Sequence, residues 1–464
     1  MGKIRKVILI SMIIPVILLS MYEPAKAASR FEDIIARSAL LAEVDSGRLL
    51  FEHNADLSQP VGDFAKVMTL LLAIEAIENN QATPQNIITM TETAWEDIGP
   101  NSTTRNIQPG EEMTLLDLMY SAYVGNANEA NNMIAEYLAG SIEAFVRLMN
   151  SRAAEIGAEN TTFVNPHGQY DSRQYTTAND LFLIFREAVN NELFLEISGT
   201  IRHVTSETNL SAPRRLINNN SLLNQSGRHF YRHLVTGATS SLFEGGYSFI
   251  GYAQSDGLSL ISVILGSTGR INEDGTADLS NLTESRRLLD WGFNNWGMRT
   301  IISTTDLIAR VPVLHGAGAD FVILRPESSL ILLMENASDD FERRVIVYSE
   351  MRNETLVAPI RAGTVLGEVI ITHNDQEFNI LLIANTNIEL HRFQLIRMQI
   401  LDTLSTPLVR NIIIALALLV ALYITLVVRY NIIRRKRLLA IKRNKQRIME
   451  ERQRKSTNDI VDEK

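Results

Sequence analysis

The run IIIALALLVALYITLVV, Ile412 to Val428, carries no charge, and the charges flanking it are lopsided. At 1.5 Å of helical rise per residue it reaches about 25 Å, the short end of what crosses a hydrocarbon core of about 30 Å. Arg410 precedes it, and twelve Lys or Arg residues follow between Arg429 and Lys455. A buried core helix has no need of such flanks. In a membrane span the basic excess marks the cytoplasmic side. The bulk of the chain, before Leu408, is therefore expected outside the cytoplasm. The opening, MGKIRKVILISMIIPVILLSMYEPAKAAS, agrees. Lys3, Arg5 and Lys6 form a basic n-region, an apolar stretch too short for a comfortable span follows, and Ala25-Lys26-Ala27 precedes Ala28 with small residues at −3 and −1.

Removing the two ends changes the charge balance. Residues 1–27 carry net +3 and residues 429–464 net +8 against −9 for the whole, which leaves −20 between Ala28 and Val428. An acidic exterior repels nucleic acid and anionic wall polymers alike. The basic tail suits anionic lipid and needs no nucleic acid as partner. The chain has no cysteine, which excludes disulfides, thiolate chemistry and cysteine-ligated metals.

From Ser29 to about Phe293 the texture is mixed α/β. SALLAEVDSGRLLFEHNAD reads as strand, turn and strand about Asp45-Ser46-Gly47. Helical periodicity follows in Lys66–Asn79, Leu115–Gly140 and Ile142–Gly157. GGYSFIGYAQSDGLSLISVILGS gives a hairpin about Asp256-Gly257, and Thr283–Trp291 predicts a closing helix. Between Gly297 and Phe393 short β-branched runs recur (LIARVPVL, FVILRP, SLILLME, RRVIVYSE, EVIITH, FNILLIANT), the signature of a small all-β domain. The expected organisation is a signal peptide, 1–27; an α/β domain, 28–296; a β-rich domain, 297–395; a linker, 396–411; a transmembrane helix, 412–428; and a basic cytoplasmic tail, 429–464.

One stretch, PVGDFAKVMTLLLAIEAIE (Pro60 to Glu78), has the build of a helix carrying a catalytic serine one turn before a lysine, but it reads Asp63-Phe64-Ala65-Lys66. Four further pieces join it: VGNANEANNMIAEYLAGS, FVNPHGQYDSRQYTTANDL, HLVTGATSSLFEGGYSFIGYAQSDGLSLISVILGS and LVAPIRAGTVLGEVII. Together and in this order they resemble the serine-type D-alanyl-D-alanine carboxypeptidases, the low-molecular-mass penicillin-binding proteins. The resemblance implies a penicillin-binding, β-lactamase-like domain with an antiparallel sheet flanked by helices, then a small all-β domain and, here, the transmembrane helix. It also implies a serine nucleophile deprotonated by a nearby lysine, a second serine and an asparagine that hold the relay and the substrate amide, a Lys-Thr-Gly strand that clamps the substrate carboxylate, and backbone amides for the oxyanion.

The sequence departs from that pattern at the reacting position of each motif. Asp63 stands for the nucleophile, Val124 of Val124-Gly125-Asn126 for the relay serine, and Val235 of Val235-Thr236-Gly237 for the clamping lysine. Lys66, Asn126, Thr236 and Gly237 remain. An acyl-aspartate would be an anhydride, uphill from an amide. One helical turn separates Asp63 from Lys66, which lets them pair, although Asp63 also suits the role of helix N-cap. Val124 and Val235 are expected to line the old cleft with methyl groups, a poor seat for a charged terminus. His167, in Asn165-Pro166-His167-Gly168, reads as structural, and His53, His229 and His233 show no ligand spacing. Asp256 and Arg270 read as hairpin and surface residues. No cofactor and no metal site is expected. The partners implied are a peptidoglycan stem peptide or cell-wall proteins, and the membrane. The leading reading is a catalytically inactive envelope homologue that binds or scaffolds. The alternatives are an active carboxypeptidase with an unrecognised nucleophile, and a transmembrane wall sensor.

Overall fold

Ser38–Glu43 (β1) is buried along its whole length, which a strand achieves only at the centre of a covered sheet. The computed structural model describes residues 31–458 apart from 32, 97, 100–101, 243–244, 269, 272–276, 279 and 337. The signal-peptide reading therefore lies outside the described residues. Two compact units divide between Ile301 and Ile302, with Ile331–Asp340 belonging to the first.

In the first unit β1 pairs with Leu49–His53 (β2) across the expected Asp45-Ser46-Gly47 turn. Further along come helices Ala65–Glu78 (α1), Leu115–Tyr123 (α2), Asn128–Ala139 (α3), Ile142–Ile156 (α4), Ala178–Val189 (α5) and Glu192–Gly199 (α6). Leu234–Leu242 (β3), Gly246–Ser255 (β4) and Leu258–Ser267 (β5) complete an antiparallel sheet in the order β2-β1-β5-β4-β3, and Ser280–Asn295 (α7) follows. The Asp256-Gly257 hairpin forms as expected, with Asp256 at φ +50° and Gly257 at φ +79°.

Helix α1 is buried from Ala65 to Ile74 without a break, so it is the central helix of the unit, not a surface one. It shares one core with α2 to α6 and the face of the sheet that carries Ile250, Tyr252, Ile261 and Val263. The opposite face, with Phe249, Leu260 and Ile264, packs with Leu282, Leu288 and Leu289 of α7. The single helix expected over Leu115–Gly140 is instead two, broken at residues 124–127. Asn126 in the break has φ +52°, a left-handed conformation that Asn tolerates better than most residues.

The second unit is built on a six-stranded sheet. It comprises Ala309–Leu314 (β6), Phe321–Pro326 (β7), Glu342–Val347 (β8), Leu356–Val357 (β9), Val365–His373 (β10) and Gln376–Ala384 (β11), in the order β8-β10-β11-β7-β6-β9. The β6–β9 pair is parallel and the other pairs are antiparallel. Residues 396–411 are largely helical. Arg392–Ser405 (α8) ends at Thr406, and Pro407 opens a 52-residue helix, Pro407–Asn458 (α9). Proline at the first helical position leaves no donor wasted. The most apolar window of α9 has mean hydropathy 2.8, which makes it long and apolar enough to cross a membrane.

Candidate active site

The chain enters α1 through a 3-10 turn, Gly62–Phe64, which runs straight into the α-helix. Phe64, the residue before α1, is itself helical in φ and ψ and makes no side-chain cap. That corrects the capping role considered for Asp63: without an extended residue at the helix start, its carboxylate has no cap geometry to fill. Instead Asp63 Oδ1 accepts a hydrogen bond from Lys66 Nζ at 2.7 Å. Lys66 is 3% exposed. An ammonium that deep requires partners, and it has a second one, because Nζ also donates to Asn126 Oδ1.

Asn126 changes the reading of the second motif. Val124 is 1% exposed and belongs to the hydrophobic core, so it does not line a cleft with its methyl groups. The residue that reaches Lys66 from the break between α2 and α3 is Asn126, whose left-handed φ brings its side chain there. In the resemblance the relay serine and the amide-binding asparagine are separated by one residue. Asn126 and Asn128 are spaced likewise, and α3 opens at Asn128. Asn126 thus takes the place of the relay serine, and Asn128 the place of the motif asparagine, which the sequence reading had missed. Asn128 is buried, and its Oδ1 has no hydrogen-bond partner among the described residues.

The third motif lies on β3, the edge strand. Val235 is half-buried and packs against the main core. Thr236 is fully buried, opposite Tyr252 of β4. Its hydroxyl lies beside that of Tyr123, without a hydrogen bond of good geometry between them. Burial pushes the Tyr123 phenol well above the ordinary tyrosine value, with the Thr236 hydroxyl pulling the other way. Gly237 has a packing reason to persist, since a Cβ there would stand 2.6 Å from the Ile250 carbonyl oxygen. Ser240, three residues beyond Gly237 on β3, accepts a hydrogen bond from the Asp63 backbone N–H at 3.1 Å. Sequence reasoning passed over it because a serine in a strand is unremarkable by itself.

The Asn165–Gly168 loop braces the start of α1. Thr69 Oγ1 donates to the Pro166 carbonyl at 2.7 Å, Gly168 N donates to Asn165 Oδ1 at 2.7 Å, and Asn165 Nδ2 donates to the Gln169 carbonyl at 2.9 Å. His167 is buried in this loop, and its Nδ1 accepts from Gln169 N at 3.2 Å. Among the described residues no group of three or more His, Asp or Glu side chains is arranged to hold a metal ion. A cavity of about 830 Å³ near Glu75, Tyr137, Arg152 and Glu187 is lined by none of the motif residues.

The site therefore gathers Asp63, Lys66 and Asn126 into one hydrogen-bonded triad, with Thr236, Gly237 and Ser240 on the adjoining strand. Chemically the triad holds a cation between two oxygen acceptors. A carboxylate stands where a hydroxyl would attack, and an amide, which does not relay protons as a hydroxyl does, stands where the relay would be.

Known proteins share this architecture. The D-alanyl-D-alanine carboxypeptidase DacF of Bacillus subtilis is 25% identical over 338 residues, 72% of this chain and 81% of its own length. DacA of Escherichia coli K12, also a D-alanyl-D-alanine carboxypeptidase, is 28% identical over 291 residues, 61% of this chain and 67% of its own. The crystal structure of penicillin binding protein 6B from Escherichia coli superposes with a TM-score of 0.58 at 20% identity, over 78% of this chain and 98% of that one, a likeness of fold. The family profile described as D-alanyl-D-alanine carboxypeptidase matches residues 24–269, more than half of the chain and the whole stretch in which the three motifs stand. On that match, the chain belongs to the D-alanyl-D-alanine carboxypeptidase family.

Proposed function

We propose that this chain is a non-catalytic member of its family, anchored in the cell membrane of a bacterium, that serves as a binding or scaffolding module in peptidoglycan metabolism. The observation that carries the reading is the Asp63–Lys66 pair. The lysine that should activate a serine is buried and donates to a carboxylate at 2.7 Å and to the Asn126 amide oxygen. No hydroxyl hydrogen-bonds to it among the described residues. The missing clamp at Val235 supports the same reading, because a stem-peptide carboxylate entering there would shed water without meeting a cation.

The anchoring is supported by α9 and by the charge asymmetry about Ile412–Val428. In this proposal the signal peptide 1–27 is removed, domains 28–296 and 297–395 face the wall, residues 396–411 link to the span 412–428, and the tail 429–464 is cytoplasmic. The partners are a stem peptide or cell-wall proteins. Incubating the full-length protein in detergent with a stem pentapeptide ending in D-alanyl-D-alanine tests the reading. No release of D-alanine above a blank is expected, and turnover that scales with protein concentration would overturn it.

A further inference from the structure

Loss of the nucleophile leaves open whether the rest of the site still stands ready for a carbonyl group. We infer that it does not, because Ser240 occupies the backbone donor that such a carbonyl would need. The inference rests on the non-catalytic reading and names the contact that shuts the site.

The Gly62–Asp63 peptide unit is fixed in place by its surroundings. Gly62 has φ +55°, a conformation that other residues adopt only with strain. It is also pressed from both sides. A Cβ at Gly62 would collide with Ser240 Oγ, and a Cβ at Gly168 would collide with the Gly62 carbonyl oxygen. The peptide unit is thus clasped between β3 and the Asn165–Gly168 loop, and its N–H, that of Asp63, has one place to point. There Ser240 Oγ accepts it at 3.1 Å. Ser240 is 5% exposed, so water has little access to replace it.

In serine acyl transfer the N–H of the nucleophile's own residue is a usual donor to the oxyanion. Such a donor is effective when it is oriented and unengaged before the substrate arrives. Here it is oriented but engaged. A carbonyl oxygen approaching residue 63 must displace a buried hydroxyl, and that hydroxyl would then lose the only donor the structure gives it among the described residues. Thr236 lies on the same face of β3, four residues earlier, beside Tyr123 of α2. Through Ser240 the strand is hydrogen-bonded to the turn that opens α1, and Thr236 packs fully buried on the same side. Asp63 and Ser240 are consequently separate obstacles, and a serine restored at position 63 would still find its amide taken.

Hydrogen–deuterium exchange of the full-length protein in detergent, read by mass spectrometry on peptides containing the Asp63 amide, tests the contact. Ser240→Ala is expected to speed exchange at that amide at least about fivefold, the factor for one lost hydrogen bond of ordinary strength. A peptide covering β1 serves as control for global opening. Ser240→Thr, which keeps the hydroxyl, is expected to retain protection, and this holds the test if the alanine variant loosens the whole unit. Unchanged exchange in Ser240→Ala, or a Ser240→Thr variant that exchanges as fast as Ser240→Ala, would overturn the inference. A covalent penicillin adduct on the wild-type chain would instead overturn the non-catalytic reading and leave the exchange result standing.

Discussion

Removing Asp63 alone should harm the fold more than removing both members of the Asp63–Lys66 pair. The Lys66 side chain is 4% exposed and that of Asp63 27%. Asp63→Ala leaves a buried ammonium with only the neutral Asn126 oxygen. Breaking a buried pair costs 3–5 kcal/mol, and the partial exposure of Asp63 together with the surviving Asn126 contact puts this case at about 3 kcal/mol. Lys66→Met keeps most of the stem volume and leaves a carboxylate that water can reach, at about 1 kcal/mol. The double variant strands no charge, so its loss should fall short of the two single losses together by about 2 kcal/mol, a coupling in the range found for contacting residues. All three tryptophans, Trp95, Trp291 and Trp296, lie in the first unit. Urea unfolding followed by tryptophan fluorescence in detergent therefore reports that unit even in the full-length protein. The cycle is interpretable if the denaturant slope is the same in all four proteins. A coupling within about 0.5 kcal/mol of zero, the usual additivity error for independent sites, would show that the side chains do not interact and would refute the triad.

Three other outcomes can be checked. Asn126→Ala should cost about 2 kcal/mol or more in the same unfolding assay, since it removes an acceptor from a buried cation and puts alanine at a left-handed φ; a loss under about 0.5 kcal/mol would place Asn126 outside the triad. Burial acts to raise the pKa of the Glu111 carboxyl, but hydrogen bonds from Arg214, Thr208 and the Gln108 amide outweigh it and hold the group below the ordinary glutamate value. A depressed pKa contributes stability that is present above the unfolded value and lost as pH falls through the folded one. Glu111→Gln should therefore destabilise by about 3 kcal/mol at pH 7, with the gap to wild type closing as pH drops below about 4; a gap that does not narrow in acid would contradict the assignment. Protease added to intact protoplasts should remove the units before Leu408 and spare the tail beyond Val428; a digested tail with intact exterior units would reverse the proposed orientation.

Much of the fold was legible in the sequence because its signals are local. Asp45-Ser46-Gly47 and Asp256-Gly257 are turn residues between apolar runs, and the FVILRP run is strand β7 residue for residue. The helix break at residues 124–127 was not legible, because the polar residues that follow it are buried. Asn128, Glu129, Asn131 and Asn132 all lie in the interior, so the usual link between polarity and exposure fails along α3. The same failure displaced the second motif. Matching on Gly125 placed Val124 at the relay, whereas the backbone at Asn126 decides which side chain meets Lys66. The triplet Asn126-Ala127-Asn128, two polar residues about one small one just before a helix, was the available signal. The Ser240 contact depends on a strand and a turn 177 residues apart meeting at a glycine, and no local pattern encodes such a distance.

Intact-mass spectrometry of the full-length protein after incubation with excess penicillin decides whether a structural triad has replaced the family's chemistry. An unchanged mass is expected under conditions that fully acylate an active carboxypeptidase run in parallel. A stoichiometric increase by the mass of the β-lactam, surviving denaturation and mapping to any residue of the first unit, would contradict it.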